Sequence, residues 1–197
     1  MKIKKNTSQS YLNINRFKEY QKSTHKINNI TMFSYGNIYL LANFYSIILN
    51  FSLKNVGFNK KKALSFFLGI EYLTNQKCIA TLSSKNILEW KLRKGALVGC
   101  KVTLRKKNLY EFLDILTLSL ARMEKFTGVQ LKNNKKNITN TLGIKLVELI
   151  LFYPIELGLG INTEVNQLDI NFIFSTLNID EKIFLLNTYK IPINENT

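Results

Sequence analysis

The side chains in this chain best placed to do chemistry are cationic and hydrogen-bonding groups gathered into one stretch: Lys91, Arg93 and Lys94, then Gly99, Lys101, Thr103 and Arg105. From Val98 onward the residues alternate. Val98, Cys100, Val102 and Leu104 fall on one side and Gly99, Lys101, Thr103 and Arg105 on the other, the period of a half-buried strand. Residues 91–105 include no Asp or Glu. Lysine and arginine in such an array neutralise phosphates, while threonine, asparagine and glutamine beside them exchange hydrogen bonds with sugar hydroxyls and base edges. An ordinary solvated strand also turns polar residues outward, so the weight of this reading rests on the rest of the chain.

Bond-breaking chemistry requires a positioned base, an activated nucleophile, a phosphate-cradling glycine loop or paired carboxylates. Gly158-Leu159-Gly160 is the one Gly-x-Gly, and without a third glycine or a strand-to-helix context it reads as a turn. Glu148, Glu156 and Glu164 are scattered, and His25 falls in a polar N-terminal region with no evident partner. Cys78 and Cys100 lie in apolar runs rather than at metal-ligand spacing, and one histidine cannot complete a zinc site with them. Both cysteines read as small core hydrophobes. The expectation is a protein that is not an enzyme and holds neither a metal nor a cofactor.

Charge narrows the partner. With 28 Lys and Arg against 13 Asp and Glu, the net charge is +15 and the pI near 9.8, which calls for a polyanion: nucleic acid first, an anionic membrane second. A peripheral membrane protein needs an amphipathic helix with a cationic face, whereas these lysines cluster in loops and at a helix start, so no membrane partner is expected. The apolar run from Ile38 to Leu53 is interrupted by Asn43, Ser46, Asn50 and Ser52. It falls short of the roughly 18–20 uninterrupted residues of a spanning helix. The 197 residues, 46% hydrophobic and 12% aromatic, suffice for one domain with its own core and exclude disorder throughout. Abundant Lys, Asn and Ile, with only Pro154 and Pro192, point to an AT-rich genome such as an organelle's. The N-terminus has no apolar segment of a signal peptide and little of the arginine of a transit peptide, so an organellar protein of this kind is expected to be made where it works.

These residues need elements to hold them. Residues 1–30 are basic and read as an N-terminal extension, a flexible arm with a short helix around Arg16 to Ser23, ahead of a single domain over 31–193. Ile47, Leu49, Phe51 and Leu53 alternate with Ile48, Asn50 and Ser52, predicting a strand that presents Asn50 on its polar face. Asn59 suits the N-cap of a helix to about Leu73, with Leu64, Phe67, Leu68 and Tyr72 as its apolar positions. Lys60, Lys61 and Lys62 in its first turn oppose the helix dipole. A strand over 77–82 and a basic loop from Ser83 to Gly95 precede the Val98 strand. An amphipathic helix from Asn108 to Phe126 follows, with Leu109, Phe112, Leu113, Leu116 and Leu120 inward and Gly128 as its stop. Lys132 to Asn137 is a polar loop, and Thr141 to Leu151 is apolar with no clear period. Leu168 to Ser175 is a last strand, and Asp180 and Glu181 begin a last short helix.

Taken together, Gln76-Lys77 and Thr81, Lys91-Leu92-Arg93-Lys94-Gly95, Gly99-Cys100-Lys101-Val102-Thr103-Leu104-Arg105 and Tyr110-Glu111-Phe112-Leu113 resemble, at matching spacing, the hallmark of a known family. It is that of the ribosomal large-subunit protein numbered five, the universal 5S rRNA binder. Ile48-Leu49-Asn50 fits the family's first strand, and Arg122, Phe126 and Gly128 fit its Arg-x-x-x-Phe-x-Gly pattern. The similarity is firm over 46–128, looser over 137–193 and poor over 1–30. The family's Asp-Gly-Arg-Gly-Asn loop is here the Lys/Asn run 132–140, and its proline after Gln-Lys is here Cys78; with the skewed composition, this looks like a mitochondrially encoded member.

The resemblance implies an α+β fold, a curved and mostly antiparallel sheet with helices packed on one face, whose other face clasps 5S rRNA or an equivalent rRNA in the central protuberance. Asn50, Gln76, Lys77, Lys101, Thr103 and Arg105 would carry that contact. In the family the long loop reaches P-site tRNA and the small-subunit head; here it spans about Ser83 to Leu97 and offers Lys85, Trp90, Lys91, Arg93 and Lys94. Neighbouring large-subunit proteins are the remaining expected partners, in a mitochondrial ribosome or that of another AT-rich organelle or bacterial type. The rival expectation is a free-standing regulatory protein that binds RNA with the same basic face.

Overall fold

Period-two apolar runs build the centre of the protein. A computed structural model describes residues 15–52, 60–89, 92–123, 128–130, 141–146, 152 and 167–194. The N-terminal helices are α1 (Arg16–Tyr20) and α2 (Lys26–Met32), joined without a break by a π-helical turn over Gln21–His25. Then come β1 (Phe44–Ser52), α3 (Lys60–Thr74), β2 (Ile79–Leu82), β3 (Leu97–Leu104) and α4 (Lys106–Ala121). The last elements are β4 (Val129–Gln130), β5 (Thr141–Leu146), β6 (Gln167–Phe174), α5 (Ile179–Thr188) and β7 (Ile193–Asn194). Five strands form an open sheet in the order β2-β3-β1-β6-β5 with every neighbouring pair antiparallel, and β4 pairs with β7 in a separate parallel bridge. This is the expected α+β class.

One face of the sheet is the core. Ile47, Leu49 and Phe51 of β1, Cys100, Val102 and Leu104 of β3, and Leu168, Ile170, Phe172 and Phe174 of β6 are all buried there. Leu109, Phe112, Leu113, Leu116 and Leu120 of α4 join the same cluster, as their helical spacing predicts. Each such side chain contributes about 2 kcal/mol through burial alone. Gly99 shows how closely β1 and β3 approach: a Cβ there would lie 2.0 Å from the Phe51 carbonyl oxygen.

Several elements differ from expectation for identifiable reasons. On α3 the buried positions are Ile70 and Leu73, with Phe67 packed beside them, while Leu64 (60% exposed), Leu68 and Tyr72 (55% exposed) face away from the core. The helix is apolar around most of its circumference, so periodicity alone leaves its phase ambiguous. Helix α4 stops at Ala121, where Arg122 N–H and Met123 N–H bond back to the Ser119 and Leu120 carbonyls and close its last turn early. The apolar segment without a period begins with an edge strand, β5, in which Ile144 is buried and Thr141 and Gly143 are exposed. Asn59, Phe126, the loop 132–140, Gly158 to Gly160 and residues 1–14 lie outside the described residues.

The N-terminal helix is longer than predicted, and His25 has partners. Its ring is buried against Phe184 and Tyr189, with Nε2 3.0 Å from Asn29 Nδ2 and 3.3 Å from the Ala42 carbonyl oxygen. Phe17 meets Tyr189 edge-on at 5.2 Å, the Gln21 side chain bonds Tyr110 and Asn43, and Arg16 pairs with Asp114 at 2.5 Å. The contacts made by Phe17, Gln21, His25 and Asn29 recur every fourth residue. An α-helix would rotate such a series by about 40° at each step. The wider π turn takes up that drift and keeps all four on the docking face.

Candidate nucleic-acid interface

The face opposite the core is built by the same alternation. On β3 it presents Lys101 and Thr103, with Arg105 just beyond the strand, and all three are exposed. On β1 it presents Ile48, Asn50 and Ser52, and on β6 Asp169, Asn171 and Ile173. Register aligns these residues into rows across the sheet. Ile79, Lys101, Asn50 and Asp169 lie side by side, and Thr103, Ile48, Asn171 and Gly143 form the next row. Opposed residues of antiparallel strands sit close enough to contact one ligand together. The face therefore carries amide, hydroxyl, ammonium and guanidinium groups across several strands. Asp169 is the acid among its described residues, half-buried, with Oδ1 lacking a hydrogen-bond partner among them.

The end of the face near Arg105 departs from simple alternation. Pairing of β1 with β6 slips between Phe44 and Ser46, a β-bulge that places Tyr45 opposite no partner of its own. Tyr45 is 62% exposed, and the Arg105 guanidinium carbon lies 5.6 Å from its ring centroid. At the other end of β3, about 25 Å away along the strand, the long loop proves to be a hairpin extension. Ser83 N–H and the Ala96 carbonyl bond at 2.9 Å, and Ile87 and Leu92 exchange backbone bonds of 2.9 and 3.0 Å further out. The Asn86 side-chain oxygen accepts from Lys94 N–H at 2.6 Å, and Gly95 at φ +82° makes the return turn. Lys85, Arg93 and Lys94 are exposed on this extension, while Trp90 and Lys91 lie outside the described residues. Leu97, expected at the end of the loop, already belongs to β3 and pairs with Leu82.

Neither cysteine is poised for chemistry. Burial and the neighbouring Cys78 push the Cys100 thiol up to about 12, and burial and Glu71 raise Cys78 as well. Among the described residues no three His, Cys, Asp or Glu side chains gather as a metal site, and no helix is long and apolar enough to cross a membrane.

Comparison with known proteins identifies this arrangement. The family model for the C-terminus of the ribosomal uL5 proteins matches residues 97–193. Large ribosomal subunit protein uL5m of Reclinomonas americana is 32% identical over 183 residues, covering 92% of this chain and all of that protein. The chain belongs to the uL5 family. Large ribosomal subunit protein uL5 of the Wolbachia of Brugia malayi is likewise 32% identical, over 81% of this chain and 89% of its own length. That of the Wolbachia of Drosophila simulans is 32% identical over 89% of this chain and 98% of its own length. This uL5-family chain is a structural constituent of the large ribosomal subunit and not an enzyme.

Within the uL5 chain, the structure brings Asn50, Lys101, Thr103 and Arg105 onto one uncovered face. Gln76 and Lys77 stand apart from the rows, in the turn between α3 and edge strand β2, with Gln76 half-buried and Lys77 exposed. Asp169 and Asn171 were not singled out by sequence, although the alternation of Leu168, Ile170, Phe172 and Phe174 implies their placement. Tyr45 was missed because the bulge ahead of Ser46 has no marker in Asn43-Phe44-Tyr45.

Proposed function

We propose that this uL5-family protein binds rRNA through the uncovered sheet face, 5S rRNA where its ribosome has one, within the central protuberance of the large subunit. The observation that carries the reading is the row in which Lys101 and Asn50 stand side by side, with Thr103 and Arg105 continuing the same edge of β3. Lys101, Arg105 and the flanking Lys77 neutralise phosphates, and Asn50, Thr103 and Gln76 exchange hydrogen bonds with 2′-hydroxyls and base edges in a shallow minor groove or a bulged loop. The hairpin extension with Lys85, Arg93 and Lys94, and with Trp90 and Lys91 in the same stretch of sequence, is the element that reaches P-site tRNA and the small-subunit head. Its distance from Arg105 supports the separation of roles. Residues 31–193 form the RNA-binding domain and 1–30 a basic extension meeting neighbouring large-subunit proteins. The likeness to uL5m and the Lys-, Asn- and Ile-rich composition support a mitochondrial ribosome.

The test is substitution on the face. Arg105→Ala and Asn50→Ala are expected each to weaken binding of the full chain to rRNA roughly tenfold, with thermal melts close to wild type because neither residue belongs to the core. Unchanged affinity in both variants would remove the sheet face from the RNA site.

A further inference from the structure

We infer that the bulge in β1 creates a stacking site for an unpaired nucleobase, made by Tyr45 and Arg105. The inference rests on the RNA-binding reading of the sheet face and specifies what kind of RNA the end of that face accepts. Tyr45 is a large side chain held mostly in solvent, at 62% exposure, next to a strand whose other apolar side chains are inward or half-buried. Regular alternation does not account for it. The slip between Phe44 and Ser46 re-aims one residue of the central strand, and the residue re-aimed is aromatic. The guanidinium of Arg105 lies over its ring with 5.6 Å between the guanidinium carbon and the centroid, restricting the ring on one side while most of the residue stays accessible.

That geometry fits a base rather than a backbone. Any phosphate contact is served by the charge of Arg105 alone and needs no aromatic beside it. A flat, accessible ring adjoining a planar cation matches the way proteins hold splayed bases, stacked on Tyr and on Arg planes. A paired base in an A-form helix keeps both of its faces against its neighbours and cannot enter such a site, so the ligand is a bulged or looped-out nucleotide. Thr103 and Asn171 stand on the same face in the adjoining row, able to bond the edge or sugar of the nucleotide once it is seated. Lys101, further along β3, carries the flanking phosphates. The site thus gives the face a preference for irregular RNA that its charge does not supply.

The experiment uses the full chain and two short RNA hairpins, identical except that one has a single bulged 2-aminopurine and the other is fully paired. At fixed salt, wild-type protein is expected to bind the bulged hairpin about tenfold more tightly and to quench 2-aminopurine fluorescence by stacking. Tyr45→Ala should lose both the preference and the quench while still binding the paired hairpin, and Tyr45→Phe should keep both. A circular dichroism melt of Tyr45→Ala close to wild type assigns the loss to the site and not to unfolding. Equal wild-type affinity for the two hairpins, or a preference that survives Tyr45→Ala, overturns the stacking site and leaves the RNA reading standing. Wild-type protein that binds neither hairpin overturns both.

Discussion

Arg105 combines roles that are usually divided among residues: it ends a core strand, precedes helix α4 and lies over an aromatic ring at the rim of the polar face. His25 is its opposite, a titratable group that folding removes from water. Burial lowers its pKa below the ordinary 6.5, against a smaller upward pull from the Ala42 carbonyl, and Nδ1 has no acceptor among the described residues for a second proton. Folding therefore favours the neutral ring. Stability is complete above about pH 6.5, where the unfolded histidine is also neutral, and declines below that pH as the unfolded chain takes up the proton first. Since this is the only histidine in the sequence, thermal melts from pH 7 to 5 should fall in wild type and flatten in His25→Gln. Equal slopes in the two proteins would show that the docking of the N-terminal helix is not what acid weakens. Burial of this residue was illegible in the sequence because its partners, Ala42 and Phe184, come from distant segments. Ile47, Val102 and Ile170 were legible because period two with one apolar side admits a single inward face.

Among elements, strands with one wet face were readable and elements with two candidate faces were not. β1, β3 and β6 alternate cleanly, whereas α3 offers apolar residues on most sides and β5 is a short edge strand whose neighbours hide its period. The helix from Arg16 to Met32 exceeded its predicted length because the π turn, which keeps its docking side in phase, has no composition of its own. The β2–β3 hairpin was recognised by its surplus length and charge, features that mark functional loops. Its backbone bonds close on one another, Ser83 with Ala96 and Ile87 with Leu92, so the sheet does not depend on its tip. Replacing residues 84–95 with a short Gly/Ser linker should therefore leave the melting curve and binding to isolated rRNA nearly unchanged, and should impair tRNA or small-subunit association in reconstituted ribosomes. Loss of rRNA binding by a folded loop variant would move the hairpin into the rRNA site.

At the scale of the molecule, a net charge of +15 makes association with RNA largely a matter of counterion release. Three phosphate contacts, one each from Lys77, Lys101 and Arg105, give a slope of log affinity against log salt of about −2 to −3. Lys101→Gln should reduce its magnitude by about one. A filter-binding series with a flat salt response would rule out this account. The strand order has a further consequence, for the time before the protein is complete. β1 sits in the middle of the sheet, yet one of its partners, β3, ends at Leu104 and the other, β6, ends only at Phe174. At typical rates of synthesis roughly 4–14 s separate the emergence of those two strands. During that interval the future centre of the sheet is an edge, with a row of unpaired backbone groups open to another chain. Asn50, Lys101, Thr103 and Arg105 all belong to the β1–β3 pair and its border. The nascent chain can thus assemble the cationic half of its face, and offer it to RNA, before the strand that completes its core has been translated.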